Sequence, residues 1–282
     1  MSPIFKEEPV VTVPSPGTRL WRYLTIEKLS YLVRSQALYF CRVDLYEDWF
    51  EGSLTKPATN LTNHVRKAEA GLPDNLSSQL GIRQQMRRFF YANCWHMNRK
   101  ESLAMWNRYL PKRDGVAIQT THGELAKAIP VPPQGALHAG CVMYLDYDND
   151  MLDFLGPLLP FFCKRHEYEH EKEFRFLYHF IPDVVYSRRA RSVLAAAAEV
   201  GGAVRVHPSE MNFNVPTPEG YSVFVNPNKF VKTMTLAPNA PAAMIGAVES
   251  LCANHLPGVT LRRSRLKRWS LFHRRSPINR CR

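Results

Sequence analysis

The stretch "EKEFRFLYHF", residues 171–180, decides the fold, because aromatic and charged residues alternate along it. Successive side chains of an extended chain point to opposite faces, so this period of two predicts a β-strand. One face would carry the aromatic residues Phe174, Phe176, Tyr178 and Phe180. The other would carry the charged residues Glu171, Glu173 and Arg175. We expect the aromatic face to pack on the core, and the charged face to be either a solvated sheet surface or the lining of a cleft.

The segments around this strand mix strand and helix patterns without a steady βαβ alternation. Residues 20–24, 37–43, 88–97 and 114–120 are typical of strands, whereas residues 25–36 and 241–256 have helical periodicity. Thr25 can cap the first of these helices, and Pro241 can begin the second. Residues 150–168 are also typical of a helix, which Pro157 and Pro160 should kink or split. The pattern predicts an α+β fold with a mixed, largely antiparallel sheet and flanking helices.

The chain organisation predicted from composition is one domain with two distinct ends. A Pro-rich flexible leader covers residues 1–18, and a single α+β domain covers residues 19–266. A polar, basic helical insertion occupies residues 62–88 of that domain. The basic C-terminal tail covers residues 267–282.

Length and composition favour a soluble, cytoplasmic protein. The 282 residues are 45% hydrophobic, which suffices for a sizeable core, yet no stretch approaches the roughly 18 apolar residues of a membrane span. The first residues also lack the basic start and apolar run of a secretory signal. The six cysteines form no CxxC pair, which argues against a zinc ribbon or a disulfide framework. We therefore expect no membrane partner and no metal.

The positive charge of the chain is concentrated at its C-terminal end. Of the net charge of +12, nine positive charges lie between Arg262 and Arg282, where there is no acidic residue, so the rest of the chain carries +3. Such a tail is able to bind a nucleic-acid backbone, and Trp269 and Phe272 are available for stacking on bases. A disordered, solubilising end is the other interpretation.

Eight segments spread over residues 20–266 form a further pattern: "LWRYLTIEKL", "LYFCRVDLYEDWFEG", "ANCWHM", "AMWNRYLPKRDGVAI", "VMYLDY", "CKRHEYEHEKEFR", "VKTMTLAPNA" and "VTLRRSRL". Together they resemble the bacterial family catalogued as domain of unknown function 2971. The likeness includes a loop that ends in Phe and Glu, and a Lys, aromatic, Glu-x-Glu-aromatic-Arg pattern. The chain departs from the family at residues 47–51, where the usual turn is altered, at His96, where a serine is usual, and at Tyr168, where a tryptophan is usual.

The family label carries no activity, but the order of the residues is similar to the Arg–Ser–Glu arrangement of ADP-ribosyltransferases. This resemblance implies an enzyme that uses NAD as its substrate, of a toxin or phage-defence type. Glu173, Glu171 and His96 would be the catalytic residues. The residues that would bind the cofactor are Arg22, Tyr23, Trp106, Tyr109 and Arg175. Arg22 would clamp the pyrophosphate, Glu173 would stabilise the cationic sugar, and aromatic side chains would stack on a flat base.

Two other functions stay open at this point. A nucleic-acid-binding or protein-interaction module would use the basic tail together with Arg83, Arg87 and Arg88. A metal-dependent hydrolase is the weaker alternative, because no HExxH or comparable spacing supports it. Its ligands would come from Asp48, Glu51, Glu171, Glu173, His166 and His170.

Overall fold

The computed structural model describes residues 11–69, 85–152, 158–199, 206 and 210–266. The chain divides into two compact units. The first unit contains the residues up to Ser15, Leu38–His96 and Ile129–Phe224. The second contains Pro16–Ala37, Met97–Ala128 and the residues from Val225 onward. The prediction of a single domain over residues 19–266 stays a prediction.

The first unit is built on antiparallel strands. Its strands are β2 Ala37–Arg42, β3 Phe90–Met97, β5 Ala136–Cys141, β6 Met143–Leu145, β7 Cys163–Arg165, β8 Glu173–His179 and β9 Gly220–Phe224. Strand β8 pairs antiparallel with β3 on one edge and with β5 on the other, and β3 pairs antiparallel with β2, which neighbours β9. The short strands β6 and β7 form a separate parallel pair. Strand β8 is therefore a central strand.

Helices and single turns complete the first unit. Its α-helices are α2 Lys56–Glu69 and α5 Arg188–Glu199. Short 3-10 segments lie at Val43–Leu45, Arg87–Phe89, Leu159–Phe162, His166–Glu171 and Asp183–Val185. A buried apolar cluster that includes Phe89, Phe90, Phe161, Phe162 and Leu177 forms the core of this unit.

The second unit joins short helices to four strands. Its strands are β1 Arg19–Thr25, β4 Gly115–Thr121, β10 Thr233–Leu236 and β11 Thr260–Arg263. Its helices are α1 Ile26–Ser35, α3 Leu103–Tyr109, α4 His122–Ala128, α6 Pro227–Phe230 and α7 Ala242–His255. Strand β4 pairs antiparallel with β1 and β10, and β10 pairs parallel with β11. Antiparallel ladders with a few parallel pairs confirm the predicted α+β class.

Helix α1 forms where the sequence predicts it. The Thr25 hydroxyl accepts a hydrogen bond from the Lys28 amide at 3.4 Å, which satisfies one of the free donors at the helix start. Leu29, Leu32 and Val33 are buried on one face, as their spacing requires.

Other boundaries differ from the prediction. Residues 163–165 form strand β7, whereas the sequence favours a helix over residues 150–168 that Pro157 and Pro160 kink or split. Helix α2 begins at Lys56, upstream of the predicted insertion, because Pro57 is tolerated in a first turn. Within the predicted leader, Val11 is buried and the Thr12 carbonyl accepts a bond from the Cys141 amide at 2.9 Å, so residues 11–18 are not a free end. Residues 1–10, 70–84 and the tail 267–282 lie outside the described residues.

Within the parts of the chain that the structure describes, no helix has the length and apolar character that crossing a membrane requires.

Candidate functional site

Both faces of strand β8 are buried. The aromatic side chains Phe174 and Phe176 are fully buried, as predicted. On the opposite face, Arg175 has no exposed surface and Glu173 is 4% exposed. Of the two interpretations open for this face, the solvated sheet surface is therefore excluded, because β8 lies between two other strands and its charged face turns toward the same core as Leu177. The extended segment also begins at Glu173, so Glu171 lies in the preceding 3-10 turn.

Glu173 and Arg175 belong to a charge cluster of five buried side chains, which we define as Glu51, Lys164, Glu171, Glu173 and Arg175. Its centre is the Lys164 ammonium, which lies 2.6 Å from a Glu171 oxygen, 2.9 Å from a Glu173 oxygen and 3.2 Å from a Glu51 oxygen. The cluster thus uses all three donors of the lysine.

Arg175 is the second cation of the charge cluster. Its Nη2 donates to Glu51 at 2.6 Å, its Nε to Glu173 at 2.7 Å, and its Nη1 to the Phe161 carbonyl at 2.6 Å. Glu51 and Glu173 therefore each bridge Lys164 and Arg175, which closes a ring of charge-assisted hydrogen bonds. Arg175 was predicted to bind a cofactor, but its guanidinium is enclosed and bonded within the protein, so it anchors the cluster instead.

Local backbone geometry positions the carboxylates within the charge cluster. Lys172 has a left-handed φ of 40°, which ends the 3-10 turn after Glu171 and starts β8 at Glu173. Gly52 follows Glu51 with a φ of 78°, and a Cβ there would lie 2.7 Å from the Phe161 ring. Glycine is therefore needed to turn the loop while Glu51 points inward.

The pKa values of two of the three carboxylates, Glu173 and Glu51, are shifted in opposite directions. For Glu173, burial opposes ionisation, but Arg175 and Lys164 outweigh it and lower the pKa, so this carboxylate stays ionised. For Glu51, burial dominates and raises the pKa in spite of the same two cations. With all groups ionised, three carboxylates face two cations and leave one excess negative charge. Glu51 is the group on which that excess is most costly.

His96 lies directly beside this cluster. It pairs with Glu173 in the β3–β8 register, and its Nδ1 lies 2.6 Å from the backbone carbonyl oxygen of Glu171. Because a carbonyl only accepts, Nδ1 carries the hydrogen and the lone pair of the neutral ring is at Nε2. Burial lowers the pKa of His96, which favours this neutral form. The three predicted catalytic residues are thus brought together.

The other predicted binding residues lie in the second unit. Tyr23 and Trp106 are buried and pack edge to face with their ring centroids 4.9 Å apart. The Tyr23 hydroxyl accepts from the Ser102 amide, and the Trp106 indole donates to Glu101. A stacking role would need an accessible ring face, which neither side chain offers. Arg22 is half-buried on β1, and Tyr109 is 44% exposed at the end of α3.

The geometry of the charge cluster argues against a metal site at the predicted ligands. Glu51, Glu171 and Glu173 do converge, but the Lys164 ammonium lies among them where a cation would bind. Asp48 instead pairs with Arg165 at 3.2 Å, and His170 is exposed. Within the described ranges, no group of three or more His, Cys, Asp or Glu is placed to hold a metal ion.

One of the three arginines predicted to form a basic surface is buried. Arg87 is buried and donates to the Trp49 carbonyl at 2.7 Å, so it is not part of an exposed basic surface. Arg88 donates to the carbonyls of Phe213 and Val215 at 3.4 and 3.3 Å. Arg83 and the tail beyond Leu266 lie outside the described residues.

Lys164 is the site residue that the sequence interpretation missed, and Glu51 was named only as a metal ligand. The sequence predicts a helix at Lys164 and a strand at Glu171 and Glu173. It therefore does not indicate that these three side chains meet. The signal that could have found both residues is the family resemblance. Its two patterns, the loop that ends in Glu51 and the segment from Lys164 to Arg175, together supply the side chains of the charge cluster.

Comparisons with protein-family models, with curated proteins and with solved structures each find no match to this chain. The resemblance to the family of domain of unknown function 2971 therefore stays a prediction, and function has to be argued from the site.

Proposed function

We propose that the protein is an NAD-using enzyme of the ADP-ribosyltransferase type, with its reaction centre at Glu171, Glu173 and His96. The observation that carries the proposal is the position of His96, which contacts the Glu171 backbone carbonyl and pairs with Glu173 in the sheet although more than 70 positions separate it from both in the sequence. A side-by-side pair of carboxylates suits a reaction in which positive charge develops on a sugar.

The proposed reaction assigns a role to each group, and it requires the sugar to reach side chains that are at most 4% exposed. The bond between the ribose C1′ and the nicotinamide nitrogen breaks, and its electron pair leaves with neutral nicotinamide. Glu173, held ionised by Arg175 and Lys164, stabilises the positive charge that develops on the ribose. A water or an acceptor hydroxyl then bonds to C1′ and gives its proton to Glu171, whose backbone carbonyl accepts a hydrogen bond from His96.

Glu171 provides the sharpest test, because its contact with Lys164 is a single ion pair, whereas Glu173 bonds both cations. The purified full chain would be incubated with NAD while nicotinamide release and the intact mass of protein and acceptors are followed. We expect release by the unaltered protein and a loss of about 100-fold or more in Glu171→Gln. Glu169→Gln, an exposed change in the same turn, is the matched control and should keep full activity.

Thermal unfolding of each variant distinguishes chemistry from folding. If the unaltered protein releases no nicotinamide, or if Glu171→Gln retains its rate, the proposal fails and the charge cluster is a structural ion network. If Glu171→Gln melts at the temperature of the unaltered protein and has lost its rate, the loss belongs to the reaction.

A further inference from the structure

An exposed aromatic side chain lies close in sequence to Glu51 of the charge cluster. Trp49 is 76% exposed, the most of any large hydrophobic side chain that the structure describes, and it stands two residues before Glu51. The three other tryptophans in the described ranges, Trp21, Trp95 and Trp106, are at most 6% exposed. The exposed indole therefore offers a flat apolar face that a base could stack on.

The loop that presents Trp49 is held by a set of hydrogen bonds. The buried Arg87 donates to the Trp49 carbonyl at 2.7 Å. The Phe50 amide donates to the Asp48 carboxylate at 3.2 Å, and the Gly52 amide to the Pro160 carbonyl at 3.1 Å. The backbone is thus fixed while the indole extends into solvent, which lowers the entropy that a bound ligand would cost.

A cation lies between two rings beside this loop. The Arg165 guanidinium is 5.0 Å from the centre of the Phe50 ring and 5.5 Å from that of Tyr168. Its Nε donates to the buried Asp48 at 3.2 Å, and Nη1 lies 3.9 Å from the exposed Glu167. The side chain of Arg165 is 32% exposed, so part of a fixed positive charge meets solvent.

The geometry points to Trp49 and Arg165 as a nucleotide-binding rim, in which the indole stacks on the base and the guanidinium binds the phosphate. The inference rests on the proposed function for the choice of a nucleotide as the ligand. It moves the base-stacking role from the buried Trp106 to the exposed Trp49. Arg165 also donates from Nη2 to the Tyr168 hydroxyl at 3.4 Å, so Nη1 is the nitrogen of this guanidinium that would bind the phosphate.

The test is calorimetric titration of the full chain with AMP. We expect Trp49→Ala to weaken AMP binding by about 5- to 150-fold, the range that a lost base–aromatic stack produces. Phe224→Ala is the matched control, since Phe224 is 74% exposed in the same unit and should leave the affinity unchanged. Arg165→Gln should weaken AMP more than adenosine, which lacks the phosphate. Glu167→Gln should tighten AMP binding, because Glu167 competes with a phosphate for Arg165.

The outcomes separate this inference from the proposed function. The inference is overturned if the unaltered protein binds no AMP, or if Trp49→Ala and Phe224→Ala change the affinity equally. If NAD is cleaved and Trp49→Ala leaves KM unchanged, the rim is wrong while the function stands. If AMP binding depends on Trp49 but nicotinamide is never released, the rim stands while the function fails.

Discussion

The first unit buries five charged side chains in one cluster. The second unit instead buries Trp106, an aromatic side chain held by a ring contact and a hydrogen bond. In the first, Lys164 and Arg175 are each held by several carboxylates. In the second, Trp106 packs on Tyr23 and donates to the half-buried Glu101. An aromatic pair stabilises a unit by burial and packing alone. A buried ionic ring stabilises little beyond its own desolvation cost, so its presence favours a role in binding or chemistry.

The largest expected effect comes from removing one cation of the charge cluster. Arg175→Met leaves the three buried carboxylates Glu51, Glu171 and Glu173 with Lys164 as the remaining cation of the charge cluster, and we expect the free energy of unfolding to fall by about 3–5 kcal/mol. Urea unfolding measures this loss, with Arg191→Met on the exposed face of α5 as a control that should change it by less than about 0.5 kcal/mol. A small effect of Arg175→Met would mean that the buried carboxylates do not depend on this cation.

Two isosteric changes should separate the carboxylates that bridge the same cations. Glu173→Gln removes the charge from a group whose pKa is lowered, so we expect a loss of about 2–4 kcal/mol at pH 7. Glu51→Gln neutralises a group whose pKa is raised, so stability should stay within about 1 kcal/mol or increase. Equal losses in the two variants would contradict the division of charge within the cluster.

Acid should weaken the first unit before the second. The lowered pKa of Glu173 means that the unfolded chain takes up a proton at higher pH than the folded one, so stability decreases as the pH falls below about 4.3 and continues to decrease toward the folded pKa. Native-state hydrogen exchange should show protection lost in β3 and β8 before β1 and β4. The loss should be smaller in Glu173→Gln, and simultaneous loss in both sets of strands would argue against this view.

The smallest expected effect belongs to the second unit. Tyr23→Phe removes one hydrogen bond from the Ser102 amide and keeps the edge contact with Trp106, so we expect a loss of about 1 kcal/mol. Because no carboxylate changes, the loss should be the same at pH 5 and pH 7. Urea unfolding at both values checks it, and a strong pH dependence would show that the units do not differ as described.

Much of the fold followed from local pattern, whereas most of the site did not. The cap at Thr25, the apolar spacing in α1 and the alternation in β8 are short-range features that the chain encodes within a few residues. The helix predicted over residues 150–168 was wrong at Lys164, because strand β7 depends on pairing with β6, about twenty residues earlier. Whether the charged face of β8 is solvated or enclosed stays open in the sequence for the same reason, since its burial depends on partners from elsewhere in the chain.

What the sequence by itself determined is the strand at residues 173–179, the α+β class and the proximity of Glu171, Glu173 and Arg175, because all of these depend on neighbouring residues. Only the tertiary structure decided that Glu51, Lys164 and His96 join them, because the sheet register and the turn at Gly52 act over distances that local periodicity does not encode. It also decided that Trp49 is exposed and Trp106 buried, since burial is set by the elements that pack around a side chain and not by its residue type.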